Sequence, residues 1–188
     1  MNINNYSRAV AALGIVAASA TALAGPTAVT ATPPIVPSDC GRFSGSPPPA
    51  QYTVIDMATT ATPNFYESPG GLGPEFVIGT TGADIILTSS DADVVCALAG
   101  ADFVDTSGDP DEVFGGDGED VIEGGFGRDT LHGMDDHDEL YGEAGNDNLF
   151  GGDEPDDLDG GNLGNDNDDG NGGDDADTCV EIENPTSC

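Results

Sequence analysis

A nine-residue period dominates the middle of this 188-residue chain, and few features restrict a fold more. "GGDGEDVIEGGFGRDTLH" (115–132) is one pattern spoken twice: Gly-Gly-x-Gly-x-Asp-x-aliphatic-x. Counted in nines from Gly79, the sixth column reads Asp84, Asp93, Asp102, Asp111, Asp120, Asp129, Asp138, Asp147 and Asp156. The eighth reads Ile86, Val95, Val104, Val113, Ile122, Leu131, Leu140, Leu149 and Leu158. "GGLGPEFVI" (70–78) keeps the register, with Glu75 and Val77 in those columns, so ten units run from 70 to 159. The pattern breaks at "GGNLGNDNDDGN" (160–171) and recovers once at "GGDDADTCV" (172–180).

Each column answers a physical need. Glycines permit left-handed backbone and close approach of two chains, so the first half of a unit is a tight turn. The aliphatic residue suits the inward-facing middle of a three-residue strand. Nine residues bury nothing alone, so the units must stack as a coil, each aliphatic residue on its equivalent one turn away. The Asp column then forms a row at roughly the 4.8 Å parallel-strand spacing, where like charges repel. Divalent cations with a preference for hard oxygen donors resolve that repulsion, which couples folding to metal.

The units closely resemble the hemolysin-type calcium-binding repeats of the RTX family, with "GGDGEDVIE" and "GGFGRDTLH" as complete matches. The resemblance implies an all-β parallel β-roll, a solenoid with two nonapeptides per turn and several Ca²⁺ ions between stacked loops. Alternate units stack, placing Asp102, Asp120, Asp138 and Asp156 on one edge and Asp93, Asp111, Asp129 and Asp147 on the other. Asp102, Asp111, Asp120, Asp129, Asp138, Asp147 and Asp156 are the implied ligands, with carbonyls of Gly116, Gly118, Gly125 and Gly127 as backbone donors. Units 79–114 depart from the family, with Thr80, Thr88, Ser89, Ala97, Leu98, Thr106 and Ser107 in the first two columns. Weaker or absent calcium sites are expected there, with competent ones from Thr106 onward. The alternative for these early units is an Asp kept only as a turn residue.

Charge agrees. There are 36 acidic residues against three arginines, for a formal net charge of -33. Before residue 79 the acids are Asp39, Asp56, Glu67 and Glu75 alone, so the charge belongs to the repeats. Nucleic acid and anionic membrane surfaces are excluded as partners, because both need cationic side chains.

The N-terminus reads as a Sec-type signal peptide over 1–24. Arg8 precedes the apolar run "AVAALGIVAASA", and Ala22-x-Ala24 supplies a small-residue cleavage signal, so the protein is expected to be secreted, with cleavage after Ala24. The apolar run is too short for a bilayer span. An oxidising compartment makes two disulfides the default among Cys40, Cys96, Cys179 and Cys188, in any of three connectivities. Cys179–Cys188 closes a small loop and leaves Cys40–Cys96 to tie the N-terminal segment to the repeats.

Residues 25–69 hold nine prolines and read as a linker and N-terminal cap; "QYTVIDMATTA" (51–61) is its one strand-like piece. Residues 160–188 read as degenerate repeats and a C-terminal cap. "NDNDDG" (165–170) starts like an EF-hand loop but has Ala176 where the bidentate acid belongs, so it is read as a loosened turn. The fourth-column acids Asp91, Asp109, Asp136 and Glu154 are read as substitutes for glycine in left-handed backbone. His132 and His137 lie in outward columns and are read as solvent-exposed. No nucleophile elbow, zinc-protease or phosphate-loop motif is present, and 25–69 is too short for a catalytic domain, so no enzymatic activity is expected. The expected function is that of a secreted calcium-binding protein. The alternative is a calcium-rigidified adhesion module for extracellular or envelope macromolecules.

Overall fold

Alternation between turn and short strand builds two parallel sheets around one core, and the chain visits them in turn. The computed structural model describes residues 51–59, 64–161, 167–173 and 176–188. The first sheet orders β1 (Thr53–Asp56), β3 (Glu75–Ile78), β5 (Val94–Ala99), β7 (Glu112–Asp117), β9 (Thr130–Asp135), β11 (Asn148–Gly152), β13 (Asp169–Gly173) and β15 (Asn184–Thr186). The second orders β2 (Phe65–Glu67), β4 (Ile85–Leu87), β6 (Phe103–Asp105), β8 (Val121–Gly127), β10 (Glu139–Gly145), β12 (Asp157–Asp159) and β14 (Thr178–Val180). Every pairing is parallel and joins residues one turn apart, as in Val113↔Leu131 and Ile122↔Leu140. This is a parallel β-solenoid of about seven turns.

The eighth column is the core. Val77, Val95, Val113, Leu131 and Leu149 of the first sheet meet Ile86, Val104, Ile122, Leu140 and Leu158 of the second, each 0–1% exposed. Burying one such side chain stabilises the fold by about 1.5–3 kcal/mol, and stacking repeats the gain at every turn.

The coil runs further than the nine-residue register. At its start, β1 and β2 come from the proline-rich segment, with Ile55 and Tyr66 in the core positions. Thr53 pairs with Glu75 and Phe65 with Ile85, spacings longer than the 18 residues of a regular turn. At its end, Asn148 pairs with Asp169, 21 residues on. Extra residues in a loop leave strand pairing intact because only the strand positions must align. Gly170 takes the core column there, opposite Leu149, and the Ile182 side chain covers it: a Cβ on Gly170 would lie 3.0 Å from Ile182 Cγ2.

The outer face of the first sheet is also apolar near its start, where Phe76, Ile78, Val94, Cys96 and Phe114 form a second buried cluster. The stack continues as Phe114, His132 and Phe150, with ring centroids 4.8 Å apart at each step. His132 is therefore half-buried between two aromatic rings, which corrects the expectation of a solvated side chain, and burial lowers its pKa. Pairing in register forces equivalent outward residues into contact, an effect invisible to a residue-by-residue reading. His137 is exposed as expected. Cys179 and Cys188 form a disulfide. Cys96 is disulfide-bonded as well, while Cys40 and the whole of 1–50 lie outside the described residues. Among the described residues no helix is long and apolar enough to cross a membrane.

Candidate metal centre

Each sixth-column Asp immediately precedes a strand, so the coil aligns these residues into two ladders, one per sheet. In the second-sheet ladder, the backbone N–H of Asp84, Asp102, Asp120 and Asp138 donates to Oδ1 of Asp102, Asp120, Asp138 and Asp156, at 2.7–2.9 Å. In the first-sheet ladder, Glu75, Asp93, Asp111 and Asp129 donate in the same way to Asp93, Asp111, Asp129 and Asp147, at 2.7–2.9 Å. The two lines are those that the alternation of units implies.

The carboxylates are not solvated at an edge. Asp84 through Asp156 in this column are 0–4% exposed. One oxygen is committed to the backbone ladder, and the other is buried as well. Oδ2 of Asp93, Asp102, Asp111, Asp120, Asp129, Asp138 and Asp156 has no hydrogen-bond donor. A buried ionised oxygen without a donor or cation is costly.

What faces these Oδ2 atoms is the first column. A Cβ built on Gly115 would collide with Asp120 Oδ2 and lie 2.8 Å from the Gly133 carbonyl oxygen of the next turn. The same pairing recurs over Gly133 (Asp138 Oδ2, Gly151 O), Gly142 (Asp147 Oδ2, Gly160 O) and Gly151 (Asp156 Oδ2, Gly172 O). A missing side chain thus leaves a cradle lined by a carboxylate oxygen and a carbonyl oxygen from adjacent turns. This donor set is all hard oxygen and suits Ca²⁺. Among the described residues no three acidic, His or Cys side chains converge on a point, so backbone carbonyls must complete any site.

Gly116, Gly118, Gly125 and Gly127 serve the stacking of the loops: a Cβ on each would strike the carbonyl of Leu98, Gly100, Ser107 or Asp109 in the preceding turn. The carbonyls that line the cradles beside the Oδ2 atoms belong to the first column, to Gly133, Gly151, Gly160 and Gly172. Column-by-column reading does not reveal this, since every residue carries a carbonyl and its direction depends on the turn. Two further acids join the ladders. Asp168, inside "NDNDDG", accepts from Asp147 N–H at 2.8 Å, and Asp177 accepts from Asp156 N–H at 3.1 Å. The sequence "DDGNGG" (168–173) holds the signal for Asp168, an acid two residues before the Gly170 that stands in the core column. Asp91, Asp109, Asp136 and Glu154 have φ of 103°, 68°, 78° and 70°, the left-handed backbone expected of glycine substitutes.

Burial pushes the ladder carboxyls up: Asp129 and Asp156 to about 6, Asp93 and Asp120 to about 7, Asp102 and Asp138 to about 8, Asp111 to about 9. The donated N–H opposes the rise, and like charges add to it, Asp84 and Asp120 acting on Asp102 and Asp120 and Asp156 on Asp138. A carboxyl whose folded pKa is raised holds a proton that the unfolded chain releases. Its stabilisation is complete below the ordinary Asp value of about 4 and is lost as pH rises through the folded values. In chelator, the thermal midpoint is therefore expected to be higher at pH 5 than at pH 8. A midpoint equal or lower at pH 5 contradicts this.

A parallel β-solenoid with two buried carboxylate ladders facing glycine cradles defines a class of repeat protein built to place oxygen ligands at every turn. The sequence profile of the RTX calcium-binding nonapeptide repeat matches residues 69–104, 97–131, 124–158 and 132–166, together more than half of the chain. The chain belongs to that family. Searches of curated proteins and of solved structures each returned no match.

Proposed function

We propose that this is a secreted, non-enzymatic calcium-binding protein whose repeats hold several Ca²⁺ ions between turns and fold as they bind them. The observation that carries this reading is the buried, donor-less Oδ2 of Asp120, Asp129, Asp138 and Asp156, each facing a first-column glycine. Asp120, Asp129, Asp138 and Asp156 would hold the ions, with the carbonyls of Gly133, Gly151 and Gly172 as partners on three of the four. Bound calcium supplies the positive charge that these oxygens lack, and about millimolar extracellular calcium fills even weak sites. Export is supported by the charged, apolar and small-residue pattern of 1–24 and by the disulfide-bonded cysteines, which persist in oxidising compartments.

The test is a calcium titration of chelated protein at pH 7.5, followed by far-UV circular dichroism. A saturable gain of β signal is expected; a flat response through the millimolar range overturns calcium-coupled folding.

A further inference from the structure

The first column is not glycine throughout. It reads Gly79, Thr88, Ala97 and Thr106, then glycine at 115, 124, 133, 142 and 151. Where a side chain stands in this column, it fills the cradle. Thr106 Oγ1 donates to the Gly124 carbonyl at 2.9 Å, the carbonyl that lines this column's cradle one turn on. Thr88 Oγ1 repeats the arrangement one turn earlier, donating to the Thr106 carbonyl at 3.3 Å. Each threonine thus puts a side chain where Gly115 or Gly133 leaves open space. Ala97, fully buried, puts a methyl in the same position on the other ladder.

The N-terminal ends of both ladders are closed by side chains too. Asp84 is the exception to the glycine rule, because Gly79 leaves its cradle open. It is nonetheless satisfied: Asn64 Nδ2 donates to Oδ1 at 2.8 Å, and Thr80 N–H donates to Oδ2 at 2.6 Å. On the other ladder, the Tyr66 and Ser68 hydroxyls both donate to Glu75 Oε1, at 2.6 and 3.1 Å.

We infer that the coil has two halves of different chemistry. Before Gly115, hydroxyl, amide and methyl groups of this chain occupy the cradles, and the turns fold without metal. From Gly115 onward only a cation fills them, so the first half is a metal-independent template on which the second half folds when calcium arrives. This rests on the calcium-binding reading above and moves the start of the competent region from Thr106 to Gly115. It also removes Asp102 and Asp111 from the ligand set. The physical gain is nucleation: a preformed stack of strands spares the calcium-dependent turns the loop-closure entropy of starting a coil.

Native mass spectrometry of calcium-loaded protein counts the ions in the wild type, Thr106→Gly and Gly124→Thr. Thr106→Gly opens a cradle at Asp111 and is expected to gain one ion. Gly124→Thr places at Asp129 the residue that Thr106 already supplies on the same ladder, and is expected to lose one. Hydrogen exchange on wild-type protein in chelator provides a readout that needs no variant: amides of β4–β6 should exchange about ten-fold or more slowly than those of β9–β12. A wild type that binds no calcium removes the calcium reading itself and this inference with it. A wild type that binds calcium, with unchanged counts in both variants or with equal exchange in the two halves, overturns the two-half division alone.

Discussion

Asp138→Asn is expected to lose a calcium ion and yet stabilise the metal-free coil at pH 8, whereas Asp138→Ala loses the ion and destabilises the coil. The two oxygens of this carboxylate have separate duties. Oδ1 accepts the Asp120 N–H at 2.9 Å, and Oδ2 is buried with no donor beside the Gly133 cradle, which the Gly151 carbonyl also lines. Asparagine keeps the Oδ1 acceptor and replaces Oδ2 with an N–H donor facing a carbonyl, so the buried charge disappears. Alanine leaves the Asp120 N–H buried without a partner, at a cost of about 1–3 kcal/mol. Urea unfolding in chelator separates the variants, and native mass spectrometry counts the ions. Equal destabilisation by both substitutions in chelator refutes this division between the two oxygens.

Gly116→Val carries the largest expected cost to the fold itself. Gly116 has φ of 120°, outside the range of a β-branched residue, and a Cβ there would strike the Leu98 carbonyl of the preceding turn. Backbone strain and overpacking together predict a loss of about 2–6 kcal/mol. Calcium does not relieve it, because the obstacle is backbone packed on backbone. Thermal unfolding in saturating calcium measures the loss; a midpoint within a degree or two of wild type refutes the close loop stacking. By contrast, Leu98 and Met134 occupy the equivalent column with φ of 86° and 95°. Their side chains project into the outer apolar cluster, where Phe76, Val94 and Phe114 receive them.

Much of the architecture could be read from the repeat. The eighth column became the core and the sixth became two ladders because a strict period of nine, folded as two strands per turn, leaves no other place for them. Where the period failed, the reading stopped, although the coil did not. The strand-like piece at 51–61 became β1, but β2 and Asp168 were missed because strand pairing tolerates loops of unequal length, so Thr53 still finds Glu75 and Asn148 still finds Asp169. Continuity there depends on long-range partners such as Ile182 over Gly170, which no local pattern records.

The sequence by itself determined the class of coil, the alternation of its two ladders and the oxygen chemistry they present, because each follows from periodicity and residue type. The tertiary structure alone decided which oxygen of each Asp is spent on the backbone and which is left facing a cradle. It alone paired that oxygen with a first-column carbonyl of the next turn, and it alone set His132 between two phenyl rings. These outcomes depend on direction in space, which is settled only when one turn is laid on the next.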